Sequence, residues 1–224
     1  MKTKKIIALL LVVVILAGAV CAYLYFKPTN FKNLRVGQDN VKFGKYKWTV
    51  LEVSNDRALL ITNDIVKKVS FHDNMHPTTW IDSHLRWYLN DKFIKETFTP
   101  EERERLIEVS NYTGDNAWFH TNSGGTAKDR VFLLSVEEVV KYFGNSGQLK
   151  NGNPDRENYI DDEYNEARRA KMEDGTSERW WTRTMGVDVN FTAIVLRCGL
   201  LDMGGALSTT EEGIRPVVWV RLDK

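Results

Sequence analysis

The strongest candidate for metal chemistry is a short polar segment with three of the chain's four histidines. His72 and His76 are four residues apart, with Asp73 between them, and Asp82 and His84 follow closely. Imidazole and carboxylate groups together bind divalent transition metals. Two histidines at this spacing meet only on a helix, whereas Pro77 and the Asp-Asn pair before it favour a loop. We therefore expect no bound metal, with His72, His76 and His84 as the residues that would bind one.

A second segment combines an aromatic face with hydrogen-bonding groups. Thr113–Gly125 is rich in glycine, serine, asparagine and threonine, and it contains Trp118, His120 and Asn122. An indole face stacks on a sugar ring, and imidazole and amide groups hydrogen-bond the hydroxyls of the sugar. These three residues are the first ligand-binding candidates. The alternative is that the Trp118 ring attaches the loop to the core.

A long polar stretch supplies further candidates. Gly144–Glu178 predicts a surface excursion, and 161–171 within it favours a solvated helix because acidic residues precede basic ones. Tyr159 and Tyr164 add two rings for ligand binding. Arg183 completes the candidate set. The alternative for Arg183 is structural, since a guanidinium can tie a loop to a strand through backbone carbonyls.

Strands are predicted at both ends of the domain and helices between them. The β-rich runs are Val41–Phe43, Tyr46–Val53, Arg57–Thr62, Trp180–Thr184, Thr192–Cys198 and Val217–Leu222. The first three are separated by turn residues and predict two successive hairpins. Ser83, Thr99 and Ser135 are predicted N-caps, and the helix after Thr99 is expected to bury Leu106 and Ile107.

The N-terminus predicts a membrane anchor. Ile6–Phe26 is an apolar run preceded by three lysines. At about 1.5 Å per residue it covers the roughly 30 Å hydrocarbon core of a bilayer, and its positive flank stays in the cytoplasm. We expect a cytoplasmic tail, a transmembrane helix, a linker and one extracytoplasmic domain at residues 1–5, 6–26, 27–40 and 41–224. The alternatives are cleavage near Ala17–Ala19 and lipidation of Cys21.

Motifs across the whole domain carry a family resemblance. They are W-x-x-S-x-L-R-x-x-L-N from Trp80 to Asn90, Asp129 with Val131–Ser135, Trp180–Arg183 and Gly213–Pro216. In order and spacing they resemble the domain-of-unknown-function family DUF6273, found on bacterial surface and phage-associated proteins. That family is similar to the C-type-lectin-like fold of formylglycine-generating enzymes and phage tropism determinants. The resemblance implies an α+β domain with small antiparallel sheets, flanking short helices and long loops that form a binding face, and it implies that the two ends of the domain meet.

Composition and missing motifs limit the function. The net charge is +1 with both signs interspersed, so no basic face predicts nucleic-acid binding. Cys198 is the only cysteine outside the apolar run, which excludes both an intradomain disulfide and the cysteine pair of formylglycine-generating enzymes. No hydrolase, P-loop, zincin or paired C-x-x-C motif occurs. Trp181 and Trp219 lie in β runs and are expected to be buried.

We expect a non-catalytic, membrane-anchored recognition domain without a cofactor, whose partners are the membrane and a surface glycan or protein. The alternatives are a cell-envelope enzyme, metal-dependent through the three histidines, and a structural surface domain.

Overall fold

The computed structural model describes residues 31–152 and 157–223. No helix in these two ranges is both long and apolar enough to span a bilayer. The anchor predicted at 6–26 lies outside the described residues. Phe31 and Leu34, within the stretch expected as a linker, are buried in the core of the domain.

The described residues form sixteen strands and a set of short helices. The strands are β1 (Val41–Phe43), β2 (Tyr46–Ser54), β3 (Arg57–Thr62), β4 (Lys67–Ser70), β5 (Leu106–Ile107), β6 (Val109–Thr113), β7 (Gly125–Asp129), β8 (Val131–Phe132), β9 (Tyr159–Ile160), β10 (Ala170–Lys171), β11 (Ser177–Glu178), β12 (Trp180–Met185), β13 (Phe191–Val195), β14 (Leu201–Leu207), β15 (Glu211–Ile214) and β16 (Val217–Arg221). The helices are α1 (His84–Tyr88), a π-helical segment (Leu89–Phe93), α2 (Ile94–Thr97), α3 (Pro100–Arg103), α4 (Val136–Phe143), α5 (Gln148–Asn151) and α6 (Asn165–Arg168). This is the mixed α+β class with small sheets and short helices that the sequence predicts.

The first sheet joins the beginning of the domain to its end. Its order is β1-β2-β3-β16-β5, and β8 also pairs with β16. The two predicted hairpins are confirmed, since β1 pairs with β2 and β2 with β3, both antiparallel. The last strand, β16, lies in the middle of this sheet and pairs with β3 from Val217↔Ile61 to Arg221↔Arg57.

The second sheet places β4 at its edge. Its order is β4-β15-β12-β13-β14-β9, and all pairs are antiparallel except β12 with β15. All six residues of β12 are buried. Because neither face of such a strand reaches water, each of its side chains must be apolar or have a hydrogen-bond partner.

The three predicted N-caps are confirmed. The Ser83 hydroxyl accepts a hydrogen bond from the Arg86 backbone N–H at 3.1 Å and starts a helical segment that continues to Thr97. Thr99 and Ser135 each form a complete capping box with the glutamate three residues later. These bonds satisfy backbone donors at helix starts, which have no partner inside the helix.

Two helix predictions are wrong in their extent. The helix after Thr99 ends at Arg103, and Leu106 belongs to β5, where it pairs with Val220 of β16. Within 161–171 only α6 is helical, and its Arg168 is fully buried against Asp162 instead of being solvated. In both places tertiary pairing overrides local helix propensity.

The two strand tryptophans differ in burial. Trp181 is fully buried, and its indole N–H donates to the Val69 carbonyl at 2.9 Å, which confirms the prediction. Trp219 is only half-buried, and the Arg57 guanidinium lies 4.4 Å from its ring centre. Trp219 is therefore less buried than the sequence predicts.

Candidate ligand-binding site

A cleft of about 290 Å³ lies between the edge strand β4 and helix α1. Its lining residues are Lys67, Lys68, Val69, Ser70, Asp73, His84, Leu85, Tyr88 and Glu211. Only Val69 and Leu85 among them are aliphatic. A ligand of this cleft therefore meets hydrogen-bonding and charged groups more than apolar surface.

Local sequence explains how α1 forms one wall. The helix starts at the Ser83 cap, so His84 and Tyr88 lie one turn apart on the same face. The Leu85 backbone N–H donates to the Phe71 carbonyl at 3.1 Å, which holds the start of α1 against the chain leaving β4. The wall is thereby fixed close to the strand edge.

Asp73 bridges a hydroxyl and an imidazole at one end of the cleft. The Ser70 hydroxyl donates to Asp73 Oδ1 at 3.1 Å, and Asp73 Oδ2 lies 2.8 Å from His84 Nδ1. The Asp73 backbone N–H lies 3.1 Å from the same Nδ1. A protonated Nδ1 can donate to the carboxylate and an unprotonated one can accept from the N–H, so Asp73 orients His84 in either state. In a nucleophilic triad the imidazole stands between hydroxyl and carboxylate, whereas here the carboxylate is in the middle.

Rings extend the cleft on the His84 side. The imidazoles of His72 and His84 stack with their centres 4.2 Å apart. Burial, and next the neighbouring His84, lower the pKa of His72, which is therefore neutral near pH 7. The Trp87 ring lies 5.5 Å from His84 and is 55% exposed. An exposed indole beside a polar cleft is a surface on which a ligand can stack.

Positive charge is presented at the other end. Lys67 Nζ lies 5.1 Å from the centre of the Tyr88 ring, a cation–π distance. Lys68, in contrast, is paired with Glu178 at 3.6 Å. Burial, followed by the Glu96 carboxylate, raises the pKa of Tyr88, so its phenol keeps its proton and can donate a hydrogen bond.

The histidines do not form a metal centre. The described residues contain no group of three or more His, Cys, Asp or Glu side chains that could hold a metal ion. His72 and His84 stack face to face at an angle of 19°, so their nitrogen lone pairs do not converge on one point. His76 is exposed in the loop, with its backbone N–H bonded to the Asn74 side chain. The metal-dependent alternative has no support in this part of the chain.

The predicted loop Thr113–Gly125 is held in shape by one buried asparagine. The side-chain amide of Asn116 donates to the carbonyls of Met185 and Met203 at 2.8 and 2.9 Å. Its Oδ1 accepts from the backbone N–H of Trp118 at 3.0 Å. His120, at the tip, is exposed and has a φ of +56°. The loop is therefore preorganised on the second sheet.

The aromatic candidates in the loop and the excursion have mixed exposure. Trp118 is half-buried, and its indole N–H donates to the Leu149 carbonyl at 3.0 Å, which joins the loop to α5. Asn122 is exposed, with its Oδ1 used by the Gly124 backbone N–H. Tyr159 and Tyr164 are half-buried, and the Tyr164 ring packs over Gly144. Part of each ring is thus used for packing.

Arg183 is the candidate that the structure places in the interior. It has no exposed surface, and it donates to the carbonyls of Leu133 and Tyr112 at 2.6 and 3.1 Å and to the Thr113 hydroxyl at 2.8 Å. It also forms an ion pair with Glu138. The ligand-binding role does not fit this position, and the structural alternative does.

Sequence reasoning missed most of the cleft. The only local signal was the helical spacing of His84, Trp87 and Tyr88 after a good N-cap. Ser70 and Glu211 could not be associated from sequence, because they lie opposite each other only when β4 pairs with β15, far along the chain.

Comparison with known proteins gives one match. Searches of curated proteins and of solved structures found none. A family model described as "Domain of unknown function (DUF6273)" matches residues 55–222. These residues include β3 to β16 and every residue that lines the cleft. Because the match covers most of the chain, this protein belongs to the DUF6273 family.

Proposed function

We propose that this chain is a membrane-anchored, extracytoplasmic recognition domain that binds a surface glycan or protein partner without catalysis. The observation that most supports it is the cleft between β4 and α1. It is lined by hydrogen-bonding and charged side chains, and the exposed Trp87 ring lies beside His84 of that lining. Stacking and multiple hydrogen bonds are the means by which proteins hold hydroxyl-rich or peptide ligands.

A cell-envelope enzyme is the second candidate, and one contact favours it. Asp73 orients the His84 imidazole, which is how a general base is commonly held. The Ser70 hydroxyl, however, is bonded to Asp73 and not to the imidazole, so the cleft has no activated serine. Recognition is the better-supported function.

Fold and location form part of the same proposal. A C-type-lectin-like arrangement is supported by the meeting ends of the domain, where the Phe31 backbone N–H donates to the Asp223 carboxylate at 2.8 Å. Location on the outer face of a cell membrane is supported by the lysine-flanked apolar run at 6–26.

The test uses the full chain and purified bacterial envelope fragments in a cosedimentation assay. Trp87→Ala is expected to weaken binding about tenfold, because a tryptophan ring that a ligand covers is a typical hot spot. Its stability should change by less than about 0.5 kcal/mol, since the ring is exposed. Treating the fragments with periodate or with protease separates glycan from protein ligands.

Two variants serve as controls. Tyr112→Ala removes an aromatic ring that is 70% exposed on β6, outside the cleft, and should bind as wild type. His120→Ala probes the predicted loop. Full binding by Trp87→Ala together with a loss in His120→Ala would move the site to the loop, and equal losses in Trp87→Ala and Tyr112→Ala would contradict a localised site.

A further inference from the structure

Two imidazole rings are stacked where the chain leaves β4. The rings of His72 and His84 lie within 19° of parallel, with their centres 4.2 Å apart. His84 lines the cleft, whereas His72 is only 8% exposed and does not belong to the lining. Neutral rings can stack at this distance, but two protonated rings would place two positive charges face to face.

The buried His72 ring is poorly suited to carry a proton. Its Nδ1 is shielded from solvent and has no hydrogen-bond partner in the described part of the chain. A protonated imidazole needs an acceptor for each N–H, and a buried donor without an acceptor is destabilising. The effects of burial and of His84, which lower the pKa of His72, outweigh Asp73 and Asn74, which favour the proton.

The charged groups around the stack compensate one proton and not two. On the loop, Asp73 Oδ2 lies 2.8 Å from Nδ1 of His84, and His76 opposes a charge on His72. On α1, Arg86 is paired with a carboxylate of β7. The other charged or titratable residues of the cleft lining are Lys67, Lys68, Tyr88 and Glu211. No ion pair within the described ranges joins His72 to a carboxylate.

The stack lies between the segment 71–76 and helix α1. The Leu85 backbone N–H donates to the Phe71 carbonyl at 3.1 Å, and the His72 backbone N–H donates to the Ser208 carbonyl at 2.9 Å. The side chains of this segment contact α1 through the stacked rings and the carboxylate on His84. Repulsion between two charged rings therefore acts directly on the contacts that hold this wall of the cleft.

We propose that the stacked rings of His72 and His84 are an acid-sensitive switch. With His72 neutral, the stack holds segment 71–76 against α1, and with both rings protonated this wall of the cleft opens. The switch deepens the proposed function, because opening displaces Asp73 from the cleft and releases the ligand. Only this release rests on the proposed function, since the opening involves the chain alone.

Opening is tested by hydrogen–deuterium exchange of the full chain in detergent at about pH 7.5 and about pH 5, with labelling times corrected for the intrinsic pH dependence of exchange. Protection of the His72 and Leu85 amides should fall about tenfold at the lower pH. His72→Gln and His84→Gln should both keep their protection, because each leaves at most one charged ring in the stack. His120→Gln, at an exposed loop tip, should open like wild type.

Two results of the exchange experiment would overturn the switch. One is unchanged protection of the wild type at about pH 5, and the other is an opening that persists in both His72→Gln and His84→Gln.

The charge coupling is tested separately by NMR titration of the histidine side chains. The His72 signal is assigned by its absence in His72→Gln, and the exposed His120 is the internal control. Because the neighbouring imidazole lowers the pKa of His72, His84→Gln should raise that pKa toward its ordinary value of about 6.5. A His72 pKa that is the same with and without His84 would contradict the switch.

The envelope assay at the same two pH values separates the switch from the proposed function. Envelope binding should fall about tenfold at about pH 5 in the wild type and clearly less in His72→Gln. Opening together with pH-independent envelope binding would overturn the release of the ligand. Absence of envelope binding at both pH values would overturn the proposed function, while the exchange and NMR results would still decide the switch.

Discussion

Buried arginines fix the loops of this domain to its strands. The Arg183 guanidinium donates to two carbonyls and a hydroxyl, and it forms an ion pair with Glu138. Arg215 donates to the carbonyls of Thr62 and Asn63 and lies 5.5 and 5.2 Å from the centres of the Phe143 and Trp180 rings. Burial lowers its pKa to about 10. A buried guanidinium is tolerated only when its donors are largely satisfied. Both arginines are buried, so neither reaches a ligand at the surface, whereas His84 in the cleft is only half-buried.

His72 should make stability depend on mildly acidic pH. Burial and the adjacent imidazoles lower its pKa in the folded state below the ordinary value of about 6.5. As pH falls below about 6.5 the unfolded chain takes up the proton first, so the stability that neutral His72 gives is complete above that pH and is lost below it. The loss in urea midpoint between about pH 7.5 and about pH 5 should be smaller for His72→Gln than for wild type.

His120→Gln is the matched control for that experiment, because His120 is exposed at a loop tip. It should retain the wild-type pH dependence. An identical acid-induced loss in wild type and His72→Gln would show that carboxylates alone account for it.

Turns and caps are the elements that local sequence specifies best. The hairpins, the capping boxes and β12 are predictable because each depends on residues close together in the chain. β5 and the buried Arg168 are not predictable in this way, since their environment comes from strands and loops distant in sequence. The cleft falls in the same class, because β4 becomes an edge only when β15 pairs with it.

The turn between β13 and β14 should be intolerant of any side chain. Gly199 has a φ of +90°, and a Cβ there would lie 1.8 Å from the Asn165 carbonyl oxygen at the start of α6. Gly175 has a similar φ of +85° with open space around it. Gly175→Ala should cost about 1–2 kcal/mol from backbone strain alone, and Gly199→Ala clearly more, measured by denaturant unfolding. Equal costs would mean that α6 moves freely away from the turn.

At the scale of the whole molecule, one core holds two sheets together. Aromatic side chains from both sheets and from the segment between them are fully buried, including Trp48, Phe71, Trp80 and Trp181. Phe71 contacts both Trp80 and Trp181, with ring centres 6.0 and 5.9 Å apart. The cleft lies next to this cluster, because Phe71 directly follows Ser70, the last residue of β4. The proposed recognition site therefore rests on a rigid base.

The proposed membrane anchor is tested by locating the C-terminus of the chain relative to the membrane. A reporter fused after Lys224 should behave as extracytoplasmic, and the full chain should remain with membranes after alkaline washing. Cys21→Ala should be retained equally, because an apolar helix of this length needs no lipid. Cytoplasmic reporter activity, or a shortened form released from the membrane, would contradict the anchor.

The central position of β16 sets the order in which this domain can fold. Its residues pair with β3, β5 and β8, so the first sheet lacks its middle strand until Val217–Arg221 has left the ribosome. Pairing between segments so far apart in sequence is slow. A nascent chain without β16 has β3 paired with β2 alone, so one edge of the buried run Leu59–Ile61 lacks its partner. The first sheet therefore stays open along β3 until the segment Val217–Arg221 has been synthesised.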